Sequence, residues 1–190
     1  DYNWVSSRFD YRQAYSYPVN KSGKPARLTP RALCVLGMTV AAAMMLSYAE
    51  SFIHFGLAGI KPGLANIFVI FILYRMGAGY AAAVSLVRCT LTALLFGSIL
   101  SLWYSAAGAA LSLAVMLLLK KTDRFSPLGV SIAGGVSHNA AQLAVAVAVT
   151  GVKEIIWYLP VLAVAGTLAG IIVGTAAALM LKKLEKVRIR

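Results

Sequence analysis

The sequence predicts an all-α fold: a polytopic membrane protein of six transmembrane helices with both chain ends on the cytoplasmic side. Three observations lead there. Of 190 residues, 60% are hydrophobic and 13% charged, and the mean hydropathy of +0.78 lies far above that of a water-soluble domain of this size. A helix that crosses a bilayer needs roughly 17 to 25 mainly apolar residues, and beyond a polar start the chain offers a succession of such runs. The charges sit in the tails and in the short breaks between runs.

The first 31 residues, "DYNWVSSRFDYRQAYSYPVNKSGKPARLTPR", are polar and basic with interspersed aromatics. They read as a cytoplasmic arm without the apolar core a signal peptide needs. Its Tyr and Trp residues suit docking onto a partner or lipid headgroups, and a plain orienting tail is the simpler alternative. The membrane domain runs over residues 32–183, and 184–190 form a basic cytoplasmic tail.

Spanning segments are expected at 32–50, 63–75, 79–96, 98–119, 127–150 and 158–181. The second is short and follows Lys61 and Pro62, so the apolar "FIHFGLAGI" before it is expected to pack as a lid or re-entrant piece. Charge counting sets the orientation. With the N-terminus inside, the arm, Arg75, Lys120, Lys121, Arg124 and the tail place 15 of the 18 Lys and Arg residues inside, while Lys61 and Lys153 alone lie outside. Such a split favours an even number of helices. It also explains the net charge of +12 without nucleic acid, which is not expected as a partner.

Small residues at four-residue spacing let helix backbones approach closely. Gly166, Gly170 and Gly174 form such a row in the last helix, Ala106, Ala110 and Ala114 in the fourth, and Gly37 with Ala41 in the first. Each row serves either internal packing or a second membrane subunit. Cys34 and Cys89 are far apart, within apolar segments and without metal-ligand spacing, so they read as small buried hydrophobes.

Ionisable and strongly polar groups at membrane depth are costly and demand partners. Arg88 lies near the middle of its helix, with Ser85 and Thr92 on the same stripe. In "GVSHNAAQLAVAV" the side chains of His138, Asn139 and Gln142 share one side of a helix, extended by Ser131 and Gly135. In "GIKPGLANIF" glycines and a proline break the chain at the outer edge, where Lys61 and Asn66 supply donors. Interhelical hydrogen bonding accounts for each group singly; a binding cavity for an anionic or amide-rich ligand accounts for them together. Glu50 and His54 are expected at the solvated outer end, Glu154 likewise, and Asp123 and Glu185 inside, which leaves Arg88 without an acid at its depth.

"GIKPGLANI", the helix-internal Arg88, "FGSILSLWYSAAGAALSLAVMLLLKK", "FSPLGVSIAGGVSHNAAQLAVA" and "YLPVLAVAGTLAGIIVG" together resemble the Gx transporter family, long labelled heptaprenyl diphosphate synthase component I, over about residues 32–182. Where the family usually reads KLGLAN, this chain has Lys61-Pro62-Gly63. The resemblance implies a fold similar to the six-helix substrate-binding subunits of energy-coupling factor transporters. It also implies a gene neighbourhood of quinone and flavin electron transfer.

Catalysis is not expected. Asp1, Asp10 and Asp123 are isolated, so the paired aspartate motifs that hold magnesium in prenyl diphosphate synthases are missing, as are a P-loop and any nucleophile–base pair. The expected function is a substrate-binding or transport subunit for a small polar or anionic molecule in the prokaryotic plasma membrane, energised by partner subunits and without a cofactor of its own. The alternatives are a membrane subunit of an electron-transfer assembly, binding flavin or quinone noncovalently, and a non-catalytic component linked to prenyl diphosphate synthesis.

Overall fold

The computed structural model describes residues 29–50, 52, 63–96, 98–122 and 124–183. Lys61, His54 and the "FIHFGLAGI" segment after Phe52, like the N-terminal arm and the tail beyond Lys183, lie outside the described residues. Helices α1 (Pro30–Glu50), α2 (Asn66–Arg75), α3 (Ala78–Phe96), α4 (Ile99–Lys121), α5 (Pro127–Thr150) and α6 (Leu159–Lys183) follow in order, with a 3-10 turn, Lys153–Tyr158, before α6. Every helix end falls within three residues of the sequence expectation.

Local chemistry places these boundaries. Ser98 and Ser126 cap α4 and α5 by accepting the backbone N–H of Ser101 and Gly129, both at 3.2 Å, and Pro127 opens α5, where its missing N–H costs nothing. α2 ends where Met76 and Gly77 both donate to the Ile72 carbonyl. Gly77 adopts φ 97°, which a side chain would disfavour, and so permits the tight turn into α3. Lys120 of α4 reaches the same end, donating to the Leu73 carbonyl at 2.7 Å above the Tyr74 ring.

Five helices are long and apolar enough to cross a membrane. Their 19 to 25 residues correspond to about 28 to 38 Å, against a hydrocarbon core of about 30 Å. α2 differs from the spanning segment expected at this place. Its 10 residues cover only about 15 Å, because the chain before Asn66 turns at Gly63 instead of continuing helically. This short helix is the most enclosed of all: Val69 through Tyr74 are each buried, packed among α1, α3 and α6. The long helices instead bury one stripe and expose large apolar side chains, such as Met38, Leu94, Leu118 and Ile172, on the other. Exposed apolar surface on this scale suits lipid, not water. The chain is an all-helical, multi-pass membrane protein.

α5 packs most closely on α6 and next on α4. The α5–α6 seam is backbone against backbone. A Cβ on Gly135 would strike the Gly166 carbonyl oxygen, one on Gly166 would lie 2.8 Å from the Gly135 oxygen, and one on Gly170 would lie 2.6 Å from the Ile132 Cα. Ser131 fastens the seam by donating to the Gly170 carbonyl at 2.7 Å. The Gly166/Gly170/Gly174 row is thus internal packing. The row in α4 turns out differently: Ala110 and Ala114 are exposed, and the face turned inward carries Gly108, Ser112 and Met116. Gly37 and Ala41 are exposed on α1, and no atom stands within 4 Å of a Cβ placed on Gly37.

Candidate functional site

Polar side chains gather between the middle of the bundle and the end where α1, α3 and α5 finish and α2 and α4 begin. Arg88, near the middle of α3, is 5% exposed. Its Nη1 donates to the Ser47 hydroxyl of α1 at 2.8 Å, and its Nη2 contacts the Cys89 sulfur at 3.5 Å. Nε has no hydrogen-bond partner. One turn further along α3, the Thr92 hydroxyl is also buried without a partner. Thr39, Thr150 and Thr167 behave otherwise, each donating to the carbonyl four residues earlier in its own helix.

Opposite stands His138 of α5, 3% exposed. Two glycines make room for its ring: a Cβ on Gly108 would lie 2.7 Å from the imidazole Cε1, and one on Gly63 would lie 3.1 Å from Cδ2. Gly63 holds φ 76° here, so the close approach and the backbone turn both favour glycine. The ring nitrogens face two amides, Asn66 at 3.5 Å and Gln142 at 3.1 Å. Both contacts are made by amide NH2 groups, which donate, and an uncharged imidazole has one lone pair, so the ring accepts from Asn66 or from Gln142 according to its tautomer.

Ser47, Glu50, Gly63, Arg88, Thr92 and His138 line one cavity, together with Cys89, Ser105 and Gln142. Its free space, mouth included, is about 310 Å³. A second space of about 210 Å³ shares Gly63 and continues past Asn66 to Ser112, Ser131 and Met116, deeper in the bundle. The Ser112 hydroxyl is buried there without a partner.

Of the side chains singled out in the sequence, Arg88, His138 and Gln142 meet at the first cavity, and Asn66 supports His138 from behind. Asn139 turns away, donating to the Leu162 carbonyl of α6 at 2.9 Å, where it joins two helices. Glu50 departs from the solvated position expected of it. It is 2% exposed, lines the cavity with Arg88, and accepts the Ala65 N–H at 3.1 Å ahead of α2. A carboxylate at a helix N-terminus is favourable on the helix dipole. The expectation that no acid stands near Arg88 is therefore corrected: Glu50, at the end of α1, is buried and lines the same cavity.

Sequence reasoning missed Ser47, Ser105 and Gly108 as well. A signal was present for the first: Thr39, Ala43, Ser47 and Glu50 fall on the one buried stripe of α1, the periodicity of an inward face. Among the described residues, no group of three or more His, Cys, Asp or Glu side chains could hold a metal ion. The arrangement offers one buried guanidinium, one buried carboxyl group, an imidazole between two amides and unpartnered polar atoms around a small space. No curated protein and no solved structure matches the chain. A family model does match, over residues 39–180 and thus most of the membrane domain, and the chain belongs to the heptaprenyl diphosphate synthase component I family.

Proposed function

We propose that the chain is an integral membrane substrate-binding or transport subunit for a small polar or anionic molecule, working with partner subunits. The observation that carries this reading is that Arg88 and Thr92, which line the same cavity, are buried with an Nε–H and a hydroxyl that have no hydrogen-bond partner. A buried donor left unsatisfied costs about 1–3 kcal/mol, and a ligand oxygen offsets that cost when it binds. The resemblance to energy-coupling factor substrate-binding subunits points the same way. Energy must come from another subunit, since the sequence has no P-loop.

The test is to release small molecules by denaturing protein purified in mild detergent and to compare the wild type with Arg88→Gln by mass spectrometry. A solute retained by the wild type and lost from the variant, with both folded, supports the reading. Equal content in the two sinks it.

The family's name favours a second reading. "Component I" of a synthase implies a partner subunit, and the chain would then be the non-catalytic membrane member of a prenyl diphosphate-forming pair. Co-purification of a soluble subunit with synthase activity, undiminished by Arg88→Gln, would favour it over the first.

A further inference from the structure

The second space, deeper in the bundle, is lined by Ser112 of α4, which is 1% exposed and whose hydroxyl has no hydrogen-bond partner. A hydroxyl on a membrane helix has a ready alternative in the carbonyl four residues earlier, and Thr39, Thr150 and Thr167 all use it. Ser112 does not. We infer that Ser112 anchors a buried water molecule in this space, enclosed by α2, α4, α5 and α6. This water is independent of the solute proposed for the first cavity.

Polar groups in the lining match what a buried water requires. Asn66 brings its side-chain amide, whose Nδ2 faces His138 at 3.5 Å. Ser131 donates to the Gly170 carbonyl at 2.7 Å and keeps lone pairs that can accept. With Ser112 they supply the partners of an ordered water, typically about three. The other side chains of the lining, Ile70, Met116, Ala169 and Val173, are apolar, and none of the described lining residues is charged, which suits a small neutral guest. Space beside the hydroxyl is tight: Met116 already fills the hollow of Gly134, where a Cβ would lie 2.8 Å from the Met116 Cγ and 3.2 Å from the Ser112 Oγ. A wholly apolar void of this kind stays dry, whereas a polar one with an unpartnered hydroxyl takes up water. Bonded to Asn66 as well, the water steadies the amide that meets the His138 ring, and so the wall between two spaces that share Gly63.

The experiment is X-ray radiolysis of the full chain in lipid nanodiscs. Radiolysis makes hydroxyl radicals from water where it lies, and a methionine beside that water is oxidised to the sulfoxide. Met116 and Met76 are both buried, at 1% and 4% exposure, and of the two Met116 lines the space. Brief exposures are expected to oxidise Met116 several-fold faster than Met76, and Ser112→Ala should bring Met116 down to the Met76 rate. Hydrogen peroxide added to the bulk must enter from outside, and it should leave Met116 as slow as Met76. A wild-type Met116 no faster than Met76 under radiolysis overturns the inference and leaves the Ser112 hydroxyl to its own helix. Unchanged radiolytic oxidation in Ser112→Ala also overturns it, since the water then has another anchor, and rapid oxidation by peroxide does so by showing open access from the bulk. Should Ser112→Ala fail to fold, the two wild-type rates still decide.

Discussion

Helix α5 borders two interiors of opposite character. Toward α6, around Gly135, backbone lies on backbone: the Ser131 hydroxyl is bonded and the glycines exclude even a methyl group, and the unpartnered atom on this side is the Asn139 Oδ1 one turn further along. Toward α1 and α3, around His138, the side chains are large and polar, and hydrogen-bonding atoms remain without partners in a space kept open. In a membrane there is no hydrophobic drive between helices, so close packing must hold the bundle. The seam does that, and the polar side can stay underpacked because the seam does not depend on it. One helix thus supplies both a rigid rail and one wall of a cavity.

The sharpest way to break that comparison is to fill the seam. Gly135→Leu or Gly170→Leu must push α6 away from α5, since the obstructing atoms are backbone, in Gly166 and Ile132 respectively. Overpacking of this kind costs at least about 1–3 kcal/mol, and here two spanning helices must separate. The expected outcome is a large fall in folded monomer, seen as early melting and aggregation on size exclusion. A Gly170→Leu protein that melts normally yet loses partners would place this row on an outer surface instead.

On the cavity side the effects should divide the other way. Arg88→Gln keeps donors for Ser47 and removes the charge, so solute retention should fall by about ten- to a hundredfold, the scale of a charged hydrogen bond of about 1.5–3 kcal/mol, with little change in melting. Gly108→Ala should weaken retention less, since its new methyl group pushes the His138 ring off its seat between Gly63 and Gly108. Melting curves and solute retention measured on the same preparations check both. Comparable losses of stability in Arg88→Gln and the seam variants would erase the distinction between the two regions.

The helices were legible in the sequence because hydropathy and length decide spanning helices almost alone, and the cap residues Ser98, Ser126 and Pro127 mark their starts. Much of the polar cluster was legible too, since Arg88 with Thr92 and His138 with Gln142 are each one turn apart on a single helix. What local spacing cannot give is depth between helices. Glu50 looks solvated at the end of its own segment and is buried, with the Ala65 N–H before α2 donating to its carboxylate. Asn139 sits beside His138 in sequence, yet one residue of helix rotation, about 100°, aims it at α6 while the His138 ring lies against Gly63, Asn66 and Gly108. Gly108 falls between the alanines of a tidy four-residue row, and only the fold shows that the row faces outward.

Asn139 offers a smaller, cleaner contrast. Its single described hydrogen bond joins α5 to the Leu162 carbonyl, away from the cavity lining. Asn139→Ala should cost about 0.6–1.7 kcal/mol, the range for polar contacts between membrane helices. Solute retention should stay unchanged, in opposition to Arg88→Gln. Reduced retention at wild-type stability would move Asn139 into the site after all.

The smallest effect is expected on α1. Gly37 belongs to a small-residue pair of the same kind as the seam glycines, but its surroundings are open, and a Cβ there meets nothing within 4 Å. If spacing alone made a packing motif, Gly37→Leu would destabilise the protein as Gly170→Leu does. The geometry says otherwise: an added side chain extends into what is, for this molecule, lipid. Replacing a helix-interior glycine also removes its backbone entropy cost. Melting of Gly37→Leu in detergent should therefore match the wild type within about 0.5 kcal/mol, or rise slightly. The same variant then tests this face of α1 in the intact membrane. Where the monomer melts normally but partner subunits no longer co-purify, the Gly37–Ala41 face is where they sit; where they remain bound, that face meets only lipid and the partners dock elsewhere.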